Sequence, residues 1–175
     1  MAQQRSVKLS RIVDEFSLEI LHKGSDYDSA LLTIVDVNRP GLQYAGFFEY
    51  FDPRRLQVEG KAEHTYLSSL LPEERRKSYS NLFSYEIPAL VLSRDMEPSA
   101  ECLETAREYE RTLLRTPETT VVFTSQMIDA LNRYLAPCIT RHGVLMEIYG
   151  EGVLINGDSG IGKSETAIEL IKRGH

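Results

Sequence analysis

Two spacings of apolar residues divide the chain into predicted helices and strands. In the segment VKLSRIVDEF (7–16), apolar residues recur at i, i+3, i+4 and i+7 from Leu9, which is the spacing of a helix with one buried face. Short aliphatic and β-branched runs bounded by turn-forming residues predict strands instead. These predicted strands are 18–21, 30–37, 55–59, 88–92 and 119–123.

Helical spacing returns between the later strands. The further predicted helices are 63–71, 72–83 with Pro72 at its start, 98–114 with Pro98 at its first position, and 125–136 with Ser125 as its N-cap. Pro137 ends the last of them. Strands that alternate with helices of about ten residues or more predict βαβ units. The first part of the chain is therefore predicted to be an α/β domain with a mainly parallel sheet and flanking helices.

The dipeptide Pro40-Gly41 suits the central positions of a type II turn, in which Gly supplies a positive φ. Residues 46–50 fit either a helix or an extended segment. Four cations near this turn form a candidate anion site, although solvated surface charge is the favoured interpretation; they are Arg39, Arg54, Arg55 and Lys61. The aromatic residues in 44–51 are more typical of a core or a subunit contact than of a nucleotide stack.

Two strand-like runs near the end of the chain, 142–149 and 152–156, are separated by Gly150-Glu151. Gly at the first central position predicts a two-residue type II′ hairpin. In that register Tyr149 faces Gly152, Leu145 faces Asn156, and His142 by extension faces Ser159. A histidine at that level would bind a phosphate oxygen or handle a proton near neutral pH. The alternative is a strand-end histidine that faces water.

The hairpin leads into GDSGIGKS (157–164), which fits the phosphate-loop pattern G-x-x-x-x-G-K-[ST]. Glycines let successive backbone N–H groups wrap around an oxyanion, while the lysine reaches the outer phosphates and the hydroxyl holds Mg²⁺. An apolar strand before the loop and a predicted helix from Glu165 to Arg173 behind it supply the expected context. The predicted ligand-binding residues are Gly157, Asp158, Ser159, Gly160, Ile161, Gly162, Lys163 and Ser164. An ordinary strand-turn-helix is the weaker alternative.

Composition narrows the class of protein. The 175 residues are 42% hydrophobic and 26% charged, as in a globular protein with a real core. A net charge of −6 argues against nucleic acid or an anionic membrane as the main partner. The N-terminus has no signal-peptide pattern and the chain has no apolar run of about 18 residues, so we expect a cytoplasmic protein. Cys102 and Cys138 lack metal-ligand spacing and are expected to be reduced thiols.

The predicted domain boundary lies in the short connection from Pro137 to Arg141, which divides the chain into 1–136 and 137–175. A phosphate-loop domain usually needs about 100 residues or more to bury its first strand and helix. It also needs a carboxylate after a second strand to complete the Mg²⁺ site. We therefore expect 137–175 to be the opening of a truncated domain, and the chain alone to be inactive.

The segment GVLINGDSGIGKSETAIELIKRGH (152–175) resembles the signature of the HPr kinase/phosphorylase family. The lead-in residues 142–145 and 149–150 match the same family, and so do N-terminal segments. Those segments are Asn38 to Leu42, Ala45 to Phe48, Arg55 to Val58 with Gly60 and Glu63, and Ile87 to Ala89. The resemblance covers roughly residues 5 to 175.

The resemblance implies a serine protein kinase that acts on HPr, the small phosphocarrier of the sugar phosphotransferase system. It implies the use of ATP or pyrophosphate with Mg²⁺, reversal by phosphorolysis, control of carbon catabolite repression and a homohexamer. By position, Gly157 to Ser164 would bind the nucleotide phosphates, Lys163 would stabilise the transferring group, Ser164 would hold Mg²⁺, and His142 would belong to the active site. Asp158 would fix the loop's shape, and the catalytic acid would lie beyond His175.

Two other hypotheses stay open from the sequence. One is a non-catalytic regulatory or assembly module whose loop is a vestige. The other is a different phosphate-loop enzyme that uses ATP and carries a similar loop.

Overall fold

The computed structural model describes residues 5–138 and 141–175. The chain forms two compact units, Met1–Ala136 and Pro137–His175. Residues 1–4 lie outside the described residues, and so do Ile139 and Thr140 in the connection between the two units.

The first unit alternates strands and helices. Its strands are β1 (Val7–Lys8), β2 (Glu19–His22), β3 (Leu31–Leu32), β4 (Val37–Asn38), β5 (Leu56–Glu59), β6 (Leu90–Leu92) and β7 (Leu113–Arg115). Its helices are α1 (Leu9–Glu15), α2 (Gly41–Tyr44), α3 (Lys61–Ser69), α4 (Pro72–Phe83), α5 (Ala100–Glu108) and α6 (Thr120–Leu135).

A five-stranded sheet with the order β2-β7-β6-β5-β4 forms the centre of this unit. Strands β4 to β7 are parallel, and β2 joins the β7 edge in the antiparallel direction. Strands β1 and β3 form a separate antiparallel pair. The predicted α/β class with a mainly parallel sheet and flanking helices is confirmed.

Successive side chains of the central strands enter two different cores. Leu56, Val91 and Leu114 pack with residues of α1 and α6 on one face of the sheet. Leu90 and Leu113 pack with residues of α3, α4 and α5 on the other face. Because helices cover both faces, all four residues of β5 are buried, although their sequence alternates between apolar and polar types.

The helix predicted over 98–114 is wrong in its second half. Ser99 caps α5, since its Oγ accepts a hydrogen bond from the Cys102 backbone N–H at 3.2 Å, and the helix ends at Glu108. Glu110 then adopts a positive φ of 52°, which turns the chain. Leu113 and Leu114 follow in β7 with no exposed surface, so burial on both faces of the sheet determines their conformation.

The predicted strand 119–123 is also wrong. Thr119 is the N-cap of α6, and its hydroxyl accepts a hydrogen bond from the Val122 N–H at 3.4 Å. Phe123 packs edge-to-face on Phe16 with ring centroids 5.8 Å apart, so tertiary packing outweighs the β-propensity of this segment. Ser125 therefore lies inside the helix rather than at its cap. The predicted end before Pro137 is confirmed.

Two predictions around residues 30–50 need correction. The strand predicted over 30–37 is divided, because β3 pairs with β1 while β4 pairs with β5. The predicted type II turn is absent, since Gly41 begins α2 and the Tyr44 N–H donates to the Pro40 carbonyl at 2.9 Å. Residues 46–50 form neither a helix nor a strand in the structure.

A buried carboxylate stands at the end of β5. Glu59 has no exposed surface, and its Oε2 accepts hydrogen bonds from the hydroxyls of Tyr44 at 2.7 Å and Tyr79 at 3.3 Å. Its Oε1 lies 2.9 Å from Nδ1 of His64, whose side chain is 29% exposed. This hydrogen bond raises the pKa of His64 above its usual value, while partial burial and Arg75 oppose the shift. His64 is thus a third hydrogen-bonding partner of the buried Glu59 side chain, beside Tyr44 and Tyr79.

We predict that this pair makes the first unit less stable as pH rises. Folding raises the pKa of His64, so its contribution is complete below the unfolded value of about 6.5 and is lost as pH rises through the folded pKa. The variant His64→Gln should remove this loss. Urea unfolding followed by tyrosine fluorescence between about pH 6 and pH 8 measures the slope.

The variant His22→Gln is the matched control. Burial lowers the pKa of His22, so its contribution has the opposite sign and is lost as pH falls. The two variants should change the pH slope of the free energy of unfolding in opposite directions. A change in the same direction would contradict the assignment.

Candidate phosphate-binding site

The second unit consists of β8 (Gly143–Ile148), β9 (Glu151–Asn156) and α7 (Lys163–Lys172). The two strands form an antiparallel hairpin in which Leu145 faces Leu154 and Ile148 faces Glu151. The helix packs on this hairpin with Ala167 buried.

The hairpin turns one residue earlier than predicted. Tyr149 and Gly150 occupy the turn with φ values of 52° and 82°, and two successive positive φ angles are the mark of a type I′ turn. The predicted type II′ turn at Gly150-Glu151, with Leu145 opposite Asn156, is therefore wrong. Extension of the observed register brings His142 level with Gly157 rather than with Ser159.

Residues 157–162 form the loop between β9 and α7. Gly160 and Gly162 have φ values of 84° and 94°, a region that only glycine adopts without strain. Gly162 is the N-cap residue of α7, so the loop delivers the chain to the helix start through a left-handed residue. The unpaired N–H groups and the positive end of the helix dipole consequently face the loop.

Lys163 folds back over the loop that precedes it. Its Nζ donates to the carbonyl oxygens of Gly157 at 2.8 Å and Asp158 at 2.6 Å. These bonds hold the ammonium group at the mouth of the loop, where the helix N-terminus also points. The arrangement combines a cation with backbone donors, which is the chemistry that a phosphate group requires.

Six of the nine predicted site residues line one cavity of about 650 Å³. Its lining is formed by His142, Gly143, Val144, Gly157, Asp158, Ser159, Lys163 and Ser164. His142 is thus placed beside the loop although the predicted register was wrong. Gly160, Ile161 and Gly162 complete the loop outside this lining. The roles assigned to these residues stay predictions.

Two residues that the sequence interpretation missed shape the loop. Asn156 Oδ1 accepts a hydrogen bond from the Gly157 N–H at 2.9 Å, which fixes the entry to the loop. Thr166 Oγ1 donates to the Gly162 carbonyl at 3.0 Å, which fixes its exit. An Asn immediately before a Gly was the available signal for the first of them.

The donor set limits how a metal would be held. In residues 5–138 and 141–175, no group of three or more His, Cys, Asp or Glu side chains is arranged to hold a metal ion. Ser164 borders the cavity on the first turn of α7, and its hydroxyl is a suitable single ligand for Mg²⁺. Such an ion would therefore share its coordination with phosphate oxygens and water.

The first unit is an α/β domain, and the second is a hairpin–loop–helix unit whose loop fits the G-x-x-x-x-G-K-[ST] pattern. Residues 7–131 match the family model described as HPr Serine kinase N terminus. Residues 133–175 match the model described as HPr Serine kinase C-terminal domain. The chain belongs to the HPr serine kinase family.

Curated relatives agree with this assignment. The HPr kinase/phosphorylase of Clostridium tetani is 46% identical over 169 residues, which are 97% of this chain and 55% of that protein. The protein of the same name from Clostridium acetobutylicum is 48% identical over 169 residues, with the same coverage. That of Peptoclostridium acidaminophilum is 46% identical over 175 residues, all of this chain and 56% of the relative. The chain spans about 55% of the length of the relatives it matches.

A solved structure is similar to this chain in fold. The CBS and DRTGG domains of the regulatory region of Clostridium perfringens pyrophosphatase, complexed with the activator diadenosine tetraphosphate, align with a TM-score of 0.51. The identity is 17%, and the alignment covers 74% of this chain and 50% of that one. This likeness concerns the fold alone. Among the described helices, none is both long and apolar enough to cross a bilayer.

We predict that Tyr149→Asn stabilises the hairpin, whereas Tyr149→Val destabilises it. Both variants remove the contact between the Tyr149 and His175 rings, whose centroids are 4.7 Å apart. Asn tolerates a positive φ, whereas a β-branched residue does not. The free energy of opening the hairpin should therefore be higher in Tyr149→Asn than in Tyr149→Val by about 1 kcal/mol or more. Amide hydrogen exchange at Met146 and Val153 in the paired strands measures the difference. Equal protection in both variants would contradict the observed turn.

Proposed function

We propose that the protein containing this chain phosphorylates a serine of HPr with ATP or pyrophosphate and reverses the reaction by phosphorolysis. The observation that carries the proposal is the cavity in which Lys163, the glycine loop and His142 meet. The shared name of the curated relatives supplies the substrate class. In this proposal the chain provides the part of the active site that holds phosphate groups.

Phosphoryl transfer depends mainly on positioning and on stabilisation of charge, since its transition state is loose. The backbone N–H groups at the start of α7 and the Lys163 ammonium would bind the nonbridging oxygens of the donor. In the forward direction the serine oxygen bonds to the terminal phosphorus, the bridging P–O bond breaks to release ADP or inorganic phosphate, and the hydroxyl proton passes to the catalytic carboxylate that the resemblance implies. In the reverse direction an oxygen of inorganic phosphate attacks the phosphorus of phosphoserine, the bond from phosphorus to the serine oxygen breaks, pyrophosphate is released, and the serine oxygen takes the proton back from that acid.

We assign Ser164 as the residue that would hold Mg²⁺, which would neutralise charge on the phosphates. Its position on the first turn of α7 places the hydroxyl beside the loop. His142 lines the same cavity from the strand side, where an imidazole would bind a phosphate oxygen or carry a proton. Asp158 contributes its backbone carbonyl to Lys163, which supports a role in the loop's shape.

The remaining parts of the proposal concern the partners. HPr is the protein substrate, and control of carbon catabolite repression is the cellular role. We further propose a homohexamer in the cytoplasm, with neither nucleic acid nor a membrane as a partner. The net charge of −6 supports the last of these statements.

We predict that Lys163→Ala in the full-length protein lowers both the phosphorylation and the phosphorolysis of HPr by about a hundredfold or more, because both directions use the same phosphate-holding cation. Lys172→Ala is the matched control, since Lys172 is an exposed lysine in the last turn of the same helix. Phosphoserine formation and pyrophosphate release measure the two directions.

Turnover at the wild-type rate in Lys163→Ala would refute the site assignment. Loss of both directions in the Lys172 control as well would point to damage of α7 rather than of the phosphate site. If the full-length wild-type protein bound nucleotide but neither phosphorylated HPr nor dephosphorylated it, that result would favour a regulatory module or another ATP-using enzyme.

A further inference from the structure

A second cavity lies in the first unit, between the residue after β4 and the first turns of α6. Its volume is about 370 Å³, within the range of sites that hold small molecules. The lining residues are Arg39, Thr120, Val121, Thr124, Ser125 and Ile128. None of them belongs to the phosphate loop or to the second unit.

The cavity is at the carboxyl edge of the parallel strands. Helix α3 leaves this edge after β5 and packs on one face of the sheet, whereas α6 leaves it after β7 and packs on the other. The starts of the two helices therefore diverge around a crevice. In open α/β sheets this is the place where ligands bind.

The electrostatics of this crevice favour an anion. Arg39 and Thr120, at the start of α6, both lie close to Gly60, which is the N-cap residue of α3. A Cβ atom built on Gly60 would be 3.1 Å from Arg39 Nη2 and 2.8 Å from Thr120 Oγ1. The guanidinium thus stands beside two helix N-termini, each worth roughly half a positive charge. The Glu63 carboxylate, 2.8 Å from Arg39 Nη2, balances one unit of charge. The same carboxylate oxygen accepts a hydrogen bond from the Gly60 N–H at 3.1 Å, so it also caps the start of α3. The start of α6 has no acidic residue in its first turn, so its positive dipole end is not balanced in this way.

The lining also includes two aliphatic side chains, those of Val121 and Ile128. Val121 is 76% exposed on the first turn of α6, and Ile128 lies two turns further along the same helix. The hydroxyl oxygen of Thr124 is buried and has no hydrogen-bond partner among the residues that the structure describes. A ligand that combined a charged group with a compact apolar body would match the cation and the two aliphatic side chains.

We propose that the cavity binds a small organic anion, separately from the phosphate loop. The carboxylate or phosphate of the ligand pairs with Arg39, whose side chain is 49% exposed, and the apolar body packs on Val121 and Ile128. Inorganic phosphate lacks the apolar body and binds less tightly.

Amide chemical shifts of the whole chain test this proposal site by site. Benzoate and phenyl phosphate serve as probes, with inorganic phosphate as the comparison. Both organic probes should shift the amides of Val121, Thr124 and Ser125 with saturation. Benzoate should leave the loop amides from Gly157 to Ser164 unchanged.

Two variants on one helix turn give a matched pair. Val121→Glu places a carboxylate in the cavity wall, whereas Val122→Glu places one on the neighbouring exposed position outside the lining. An acidic residue in the first turn favours the helix, so both variants should fold. Val121→Glu should weaken benzoate binding about tenfold or more, and Val122→Glu should leave it near the wild-type value.

The variant Arg39→Gln should also weaken benzoate binding, while Arg54→Gln, which removes a surface cation paired with Asp52, should not. Several results would overturn the proposal: no saturable shifts at the cavity, shifts at the phosphate loop alone, or equal weakening by both valine variants. Shifts that depend on protein concentration instead of probe concentration would indicate a second copy of the chain and would overturn it too.

Discussion

Burial of both faces of the central strands is the constraint on which the first unit depends. Strands β5, β6 and β7 have no solvent-facing side, so their alternate side chains must be compatible with two different helical layers. This arrangement forces the connections to cross the sheet as helices. It also brings the helix starts to one edge, where Glu59, Arg39 and Thr120 lie. Polar chemistry is thereby concentrated at the carboxyl edge of the sheet.

Local spacing predicted several helices and the buried strands β5 and β6, and it failed at β7 and at the start of α6. Helices α1, α3 and α4 were predicted because each exposes a polar face. Leu113 and Leu114 were assigned to a helix because their run is short and apolar, and such a run carries no period of its own. The β-branched residues at the start of α6 predicted a strand. The packing of Phe123 on Phe16, which favours the helix, joins residues far apart in sequence and so could not be predicted from local spacing.

The backbone conformation of the candidate loop could be predicted directly from its motif, while the function of its residues stays a prediction. A glycine loop has strict backbone requirements, so Gly160 and Gly162 could be assigned from the motif alone. The placement of His142 depended on the hairpin register, which the choice of turn residues decides. A positive φ is unusual for a residue as large as Tyr149. The prediction therefore placed the turn at Gly150-Glu151, one residue later than its observed position at Tyr149-Gly150. His142 still reached the loop because the strand leads there in either register.

The two units contribute different chemistry to the proposed protein. The second holds the glycine-rich loop, with Lys163 bound to two loop carbonyls. The first offers a separate crevice lined by Arg39. In the proposed function the loop would hold phosphate groups during phosphoryl transfer, and in the further proposal the crevice would hold a small anion.

The central claim is that residues 157–164 cradle phosphate groups through backbone N–H groups and Lys163. The most direct measurement is a titration of the chain with pyrophosphate in the presence of Mg²⁺, followed by backbone amide shifts. We expect saturable shifts at Gly160, Gly162 and Lys163, and a strong loss of affinity in Lys163→Ala. Pyrophosphate binding that leaves these amides unchanged, or that Lys163→Ala does not weaken, would contradict it.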